Sequence, residues 1–448
     1  TTEIYTLSLH DALPILMTPE VLHSFGRVGS IEVSPDKSGV LYQVTYVSIP
    51  QNKTNPELFI MKSDGSEKKK LTITNTSESN PQWINGGKKI AFLGNETGSS
   101  QIWSMNPDGG GMTQISDVEG GVDGFRFSPD GKKVLFIKSV KSVETASDRY
   151  PDLQNASGRV VDDLMYKHWD HWVESVPHPF VADVSGHKLT NIKDIMEGEL
   201  YESPLAPFGG IEQLAWSPDG KTIAYTSKKK SGREYAESTN SDIYFYDLES
   251  GEVRNMTEGM MGYDINPKFS PDGTMLAWQS MERDGYEADK NRLFVMNLSS
   301  GEKSYLTENF DDNCDTYIWG EDNSTIYMVS SVKGTSQIYS VSLASKVIKP
   351  LTEGKHNYLS ISLGENGLIA SRQSMSQPTE VYNVNINTGE ATDISQENKH
   401  ILDQLQMGEV EERWIETTDG KQMLTWVVYP PNFDPAKKYP ALLYCQGR

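Results

Sequence analysis

The chain has 448 residues, with 62 acidic against 41 basic side chains and a formal net charge of −21. That balance argues against nucleic acid as a partner, since the lysine runs Lys68-Lys69-Lys70 and Lys228-Lys229-Lys230 read as solvated hairpin tips and not as a basic stripe. No stretch approaches the ~20 apolar residues of a membrane span, and two cysteines, Cys314 and Cys445, make no disulfide framework.

Thr1 to Ile15 fits nothing that follows. It looks like the in-frame translation of a short sequencing adapter, so residues 1–16 are expected to be a non-native leader, the alternative being a real lead-in strand. In the first case His10 and Asp11 are no functional pair. Residues 17–30 form a lead-in segment.

From Ile31 the sequence repeats itself. Ser-Pro-Asp-Gly stands between two short strands at Ser128-Pro129-Asp130-Gly131, Ser217-Pro218-Asp219-Gly220 and Ser270-Pro271-Asp272-Gly273, with a degraded copy at Ser34-Pro35-Asp36-Lys37 whose glycine is displaced to Gly39. Proline presets φ at the second turn position, the serine and aspartate oxygens accept backbone N–H groups, and glycine takes the left-handed conformation. With this template seven units begin near Ile31, Asn80, Val122, Ile211, Ile265, Thr316 and Leu359. Their outer hairpins end at Leu71-Thr72, Ile115-Ser116, Leu189-Thr190, Met256-Thr257, Leu306-Thr307, Leu351-Thr352 and Ile394-Ser395. Four strands per unit at this period is the mark of a β-propeller blade, so residues 31–398 are expected to form an all-β seven-bladed propeller. Trp83, Trp216 and Trp319 each stand just before an inner turn, and equivalent placement points to a shared packing role between blades.

The third unit carries an insertion at about 138–178. It holds the aromatic patch Tyr166-Lys167-His168-Trp169-Asp170-His171-Trp172, with Glu174 and His178 behind it. Long loops are often functional. One reading is a loop over the propeller mouth that presents Trp169 and Trp172 to a peptide; the other is a set of rings packed under the insertion to hold it down. The spacing of His168, Asp170, His171 and His178 is a weak metal signature without a thiolate, and no metal or other cofactor is expected. Asp311-Asp312-Asn313-Cys314-Asp315 lacks the spaced ligands of a calcium loop. Gly109-Gly110-Gly111 lacks the strand-to-helix context of a phosphate loop.

Residues 409–448 change character. The turn Asp419-Gly420 is followed by Trp426 and Pro430, and then Lys437-Lys438-Tyr439-Pro440 opens the apolar run Ala441-Leu442-Leu443-Tyr444-Cys445 before Gln446-Gly447-Arg448. A continuous apolar strand suits a position buried on both faces, as in the parallel sheet of an α/β enzyme.

Blades and tail together resemble the prolyl oligopeptidase family of serine peptidases, in its bacterial secreted acylaminoacyl-peptidase and dipeptidyl-peptidase branch. The resemblance runs from Met17 to Gly447, and Arg448 departs from the glycine-glycine-proline with which the family continues this strand. It implies that a propeller caps an α/β-hydrolase with a serine-aspartate-histidine triad, and that 409–448 are the truncated first strands of that domain. No Gly-x-Ser-x-Gly occurs in these residues, so the triad is expected to be absent from this chain. Gln446 and Gly447 would open the oxyanion loop. In the dipeptidyl-peptidase branch propeller acids hold the substrate amine, and Asp170 and Glu174 are candidates by type. The expected function is the substrate-gating portion of a peptidase for short peptides, periplasmic or secreted, inactive alone, and compatible with a homo-oligomer when intact. The alternative is a stand-alone propeller serving as an interaction scaffold of the bacterial envelope.

Overall fold

The computed structural model describes residues 15–444 except 75, 154 and 156. The leader up to residue 14, Asn75, Cys445, Gln446, Gly447 and Arg448 therefore lie outside the described residues. Ile15 makes a parallel bridge with Leu405.

The repeat becomes a β-propeller. Among the described residues there are five separate four-stranded antiparallel sheets and one eight-stranded sheet, the latter being two meanders joined by the single parallel pair Ser336 with Asn357. The first meander runs through Arg27–Val33, Gly39–Ser48, Lys53–Lys62 and Lys69–Lys70, and the last ends at Ala391–Asp393. The first strand thus starts before the expected Ile31. Between sheets lie the apolar clusters, such as Leu135, Ile137 and Val181 of the third meander against Leu214, Ile223 and Tyr225 of the fourth. Each meander buries both faces only against its neighbours, which explains strands that are apolar on both sides.

The recurring turn works as its chemistry requires. At Ser128 the hydroxyl donates to Asp130 Oδ1 at 2.7 Å and accepts Lys133 N–H at 3.0 Å, Asp130 accepts Lys132 N–H at 3.0 Å, and Gly131 has φ +70°. Ser217 and Ser270 repeat this, with Gly220 at φ +70° and Gly273 at φ +72°. In the degraded copy the displaced-glycine reading is corrected. Lys37 itself sits at φ +62°, and Gly39 simply begins the second strand. The three serine and aspartate bonds hold the turn tightly enough to carry a lysine in the left-handed region.

The tryptophans join neighbouring meanders. Trp83 Nε1 donates to Glu32 O at 3.3 Å, Trp216 Nε1 to Arg126 O at 2.9 Å and Trp319 Nε1 to Lys268 O at 2.9 Å. A second recurring device closes the outer hairpins. Thr72, Ser116, Thr257, Thr307, Thr352 and Ser395 each accept the N–H of the residue 14 positions earlier, at 2.7–3.0 Å. In the third meander the expected Leu189-Thr190 does not fill that place. There the strand Ser175–Ser185 has 11 residues, the hairpin is longer, and buried Ile195 and Met196 stand where the others have Leu-Thr, with Ile195 N–H donating to Pro179 O at 3.1 Å.

The ring closes between the first and last meanders. Val28, Val40 and Tyr42 pack on Ile369, Val381 and Ile394. Buried Asn398 accepts Gly26 N–H at 2.8 Å and donates to Gly26 O at 2.9 Å, while Glu380 takes Asn398 N–H at 2.8 Å.

After the ring the chain makes a separate two-stranded sheet, Val410–Glu416 with Gln422–Val428. The expected strand at 441–445 is not seen: residues 441–444 carry no strand, and Leu442, Leu443 and Tyr444 are exposed.

Candidate functional site

Antiparallel meanders sort their connections between two rims. Turns after the first and third strands lie on one rim; connections after the second strand, and links to the next meander, lie on the other. The Ser-Pro-Asp-Gly turns share the first rim, where Pro129 Cδ lies 3.7 Å from the Cβ position of Gly220 and Pro218 Cδ lies 3.5 Å from that of Gly273. The second rim receives everything irregular. The insertion leaves after Lys133–Lys141, the 201–208 link follows Lys188–Asp194, and the helix Gly232–Glu237 follows Thr222–Ser227. The terminal hairpin sits there too: a Cβ on Gly334, in the turn after a second strand, would meet Leu424 at 2.8 Å and Trp426 at 3.0 Å.

On that rim the insertion, the 201–208 link and the Gly232–Glu237 helix enclose a cavity of about 790 Å³. The insertion is braced locally. Thr145 caps the helix Ala146–Arg149, Asp148 returns a bond to the Thr145 backbone, and Lys141 pairs with Asp148. The bonds from Lys141 and Thr145 hold the Asp148 carboxyl below the usual range. Lys167–His168 and His171–Trp172 form a small hairpin whose turn holds Trp169 at φ +51°.

Of the four residues expected to contact substrate, two line the cavity. Trp169 is 66 % exposed and meets Phe208 edge-to-face at 5.2 Å. Trp172 lies under the Arg159 guanidinium at 4.1 Å, near Tyr166 at 6.0 Å. Asp170 stands outside the lining in solvent, 3.2 Å from His171. Glu174 is outside it as well and accepts from Arg159 Nε at 3.2 Å. His178 is buried in the sheet, its Nδ1 2.9 Å from Asp194 Oδ2, away from the other histidines of the patch. Among the described residues no group of histidine, cysteine or carboxylate side chains is arranged to hold a metal ion.

Sequence reasoning missed the opposite wall. Leu200 and Phe208 are exposed apolar groups there, and Glu144, Asp162, Asp163 and Glu202 are the acids of the lining. Glu202 is buried and accepts from the Tyr235 hydroxyl; burial pushes its carboxyl above the ordinary range. Lys228 fixes Tyr235 in turn, donating to Tyr235 O and Ser238 O at 3.1 Å with its ammonium 3.8 Å from the Tyr235 ring centre. Burial pulls that ammonium below its ordinary value. The one sequence signal for this wall was a link too long for the repeat, with Pro204 and Pro207 in it. The arrangement is a largely apolar cleft whose wall carries these acids together with Arg149 and Lys230, Arg149 being paired with Glu144 and Asp162.

Residues 20–163 and 211–403 match the TolB β-propeller domain family. The unmatched part between them, 164–210, supplies Trp169, Trp172, Glu202 and Phe208 to the cavity. The chain is 48 % identical over 431 residues to dipeptidyl-peptidase 5 of Porphyromonas gingivalis, covering 96 % of this chain and 63 % of that protein. It is 47 % identical over 432 residues to dipeptidyl-peptidase 5 of Porphyromonas endodontalis, covering 96 % and 62 %. The chain thus spans less than two thirds of the length of these relatives. Among solved structures, Pyrococcus horikoshii acylaminoacyl peptidase superposes with a TM-score of 0.71 at 17 % identity, over 94 % of this chain and 60 % of that one. The β-propeller domain of the Trilobed protease from Pyrococcus furiosus superposes with a TM-score of 0.55 at 15 % identity, over 84 % and 97 %. The structural likenesses speak for the fold. The chain belongs to the TolB β-propeller domain family.

Proposed function

We propose that the chain is the substrate-gating propeller of a serine exopeptidase or oligopeptidase of dipeptidyl- or acylaminoacyl-peptidase type. In this reading the seven meanders are its blades, and residues 409–448 begin an α/β-hydrolase domain on the second rim. The intact enzyme, periplasmic or secreted, attacks a peptide carbonyl with serine through an acyl-enzyme, with histidine as base. One observation carries the reading: the cleft walled by Trp169, Phe208 and Glu202 opens on the rim that also holds the terminal hairpin. A peptide held there by its amine and apolar side chains lies toward whatever follows that hairpin, and a folded protein is kept out by the ring.

The purified 448-residue chain is expected to hydrolyse neither dipeptidyl nor acylaminoacyl reporters, and to bind dipeptides with a free amine in calorimetry. Trp169→Ala and Phe208→Ala should each weaken that binding about tenfold, the ~1.4 kcal/mol on the scale of one lost aromatic contact. Cleavage with contaminating peptidases excluded overturns the inactivity; binding untouched by both substitutions overturns the cleft as gate. The names of the relatives favour this reading over an envelope scaffold.

A further inference from the structure

Residues 157–174 form an arm of the third meander that lies along the cleft. None of its side chains is buried, and Val160, Val161, Leu164, Tyr166, Trp169 and Trp172 all stay exposed. The strand that follows is different, with Val176, His178 and Val181 buried. An element without buried apolar contacts has no core to hold it in place and belongs to the least stable part of a fold.

The arm nevertheless keeps its own shape. Val173 N–H donates to Tyr166 O at 3.0 Å, and Lys167 pairs with Trp172 across the hairpin. The Arg159 guanidinium lies 4.1 Å from the Trp172 ring centre, and its Nε donates to Glu174 Oε1 at 3.2 Å. At the root, the last rung of the sheet, Lys141 with Ser175, is followed by one bond from Ser142 N–H to Glu174 O at 3.1 Å. A self-braced unit on so narrow a root turns as one body about a few residues.

The arm meets the facing walls through exposed groups. Trp169, at its tip, and Phe208 of the 201–208 link touch edge-to-face at 5.2 Å, although they are 66 % and 81 % exposed. Asp163 Oδ1 lies 3.0 Å from the Cβ position of Gly232, where the facing helix begins. An aromatic pair so open to water is a weak tie, enough to seat the arm and too little to lock it. Val160, Val161 and Leu164 line the cavity while still half open to solvent. An apolar occupant of the cleft covers them further, and that gain favours the seated position.

We propose that residues 157–174 are a lid over the cleft, seated when Trp169 rests on Phe208 and swung away to let a peptide enter and leave. The lid rests on the reading of the cleft as the peptide gate and adds its regulation: occupancy closes the site.

The test places spin labels on the 448-residue chain at Asp170→Cys, on the arm, and Arg233→Cys, on the facing helix, in a Cys445→Ser background; both positions are exposed, and Cys314 is buried. Without ligand the distance distribution should be broad, with a long component from the open arm. Saturating alanyl-leucine should narrow it to the short component. Phe208→Ala should raise the open-to-seated ratio of the free chain about threefold or more, as the loss of a weak tie would. Circular dichroism checks that each variant is folded, and Lys167→Cys replaces the arm label should the one at 170 abolish binding. Calorimetry of the unlabelled chain with the same dipeptide reads the cleft separately. Binding with an unchanged distance distribution overturns the lid alone. No binding overturns the gate and the lid with it. A ratio indifferent to Phe208→Ala overturns the Trp169–Phe208 seat.

Discussion

Trp216 shows what one residue can reveal and conceal. Its indole is buried between the third and fourth meanders and donates to Arg126 O, and Trp83, two units earlier, and Trp319, two units later, make the equivalent bond to the meander before their own. The common offset from the turn was legible in the sequence and correctly implied a role between blades. The acceptor was not, because a ring nitrogen's partner depends on how two sheets are rotated against each other. Trp216→Phe keeps most of the buried surface and loses the bond, so it should cost about 1 kcal/mol. Trp216→Ala adds a cavity and should cost about 3–5 kcal/mol. Urea midpoints at constant slope measure both. Equal costs for the two would mean that the bond, and not packing, holds the ring there. Lys37 teaches the complementary lesson: a left-handed residue was expected to be glycine, yet three bonds around Ser34 and Asp36 hold a lysine in that conformation.

At the level of elements, strand order was readable wherever a unit repeats its neighbours and failed where a unit is longer. Leu189-Thr190 matches the outer-hairpin pair by letter, but the extended third strand moves the pairing on to Ile195 and Met196. Trp169 and Trp172 were found because they cluster in sequence. Phe208 and Glu202 were not, since a link that faces an insertion of the same unit leaves no periodic trace. The terminal hairpin poses the sharpest elemental question. Its strands pair only with each other among the described residues, and Trp414, Ile415, Met423 and Val428 are exposed. Unpaired strand edges with apolar side chains template association. Deleting residues 409–448 should therefore raise the soluble yield and remove concentration-dependent species in sedimentation, with little change in the melting of the ring. Unchanged self-association would show that the contact surface lies elsewhere.

For the whole molecule, buried acids set how stability depends on pH. Asp264 is fully buried, takes the Trp278 indole bond at 3.0 Å, and is pushed up to about 7, by burial above all. Glu32 is pushed up to about 7 by the same cause. Both hold a proton in the folded ring that they release in the unfolded chain above their ordinary values of 3.8 and 4.5. Their contribution is complete below those values and is lost as the pH rises toward 7. The turn aspartates act oppositely. Asp36, Asp130, Asp219 and Asp272 are lowered by their serine hydroxyls and neighbouring N–H groups, so their contribution vanishes as the pH falls below about 4, near the free-aspartate value. Lys268, pulled down to about 8, makes the folded chain shed a proton that the unfolded chain keeps up to about 10.4, so stability climbs again above pH 8. The melting temperature should therefore peak near pH 4–5, pass through a shallow minimum near pH 7–8, where a net charge of −21 also repels itself, and rise beyond it. Asp264→Asn, which can still accept the Trp278 bond, should flatten the fall between pH 5 and 7, and Lys268→Met should flatten the alkaline rise. Melting curves in buffers of matched ionic strength decide it. A melting temperature that increases steadily from pH 5 to 8 would mean that these carboxyls are ionised and solvated in the folded ring.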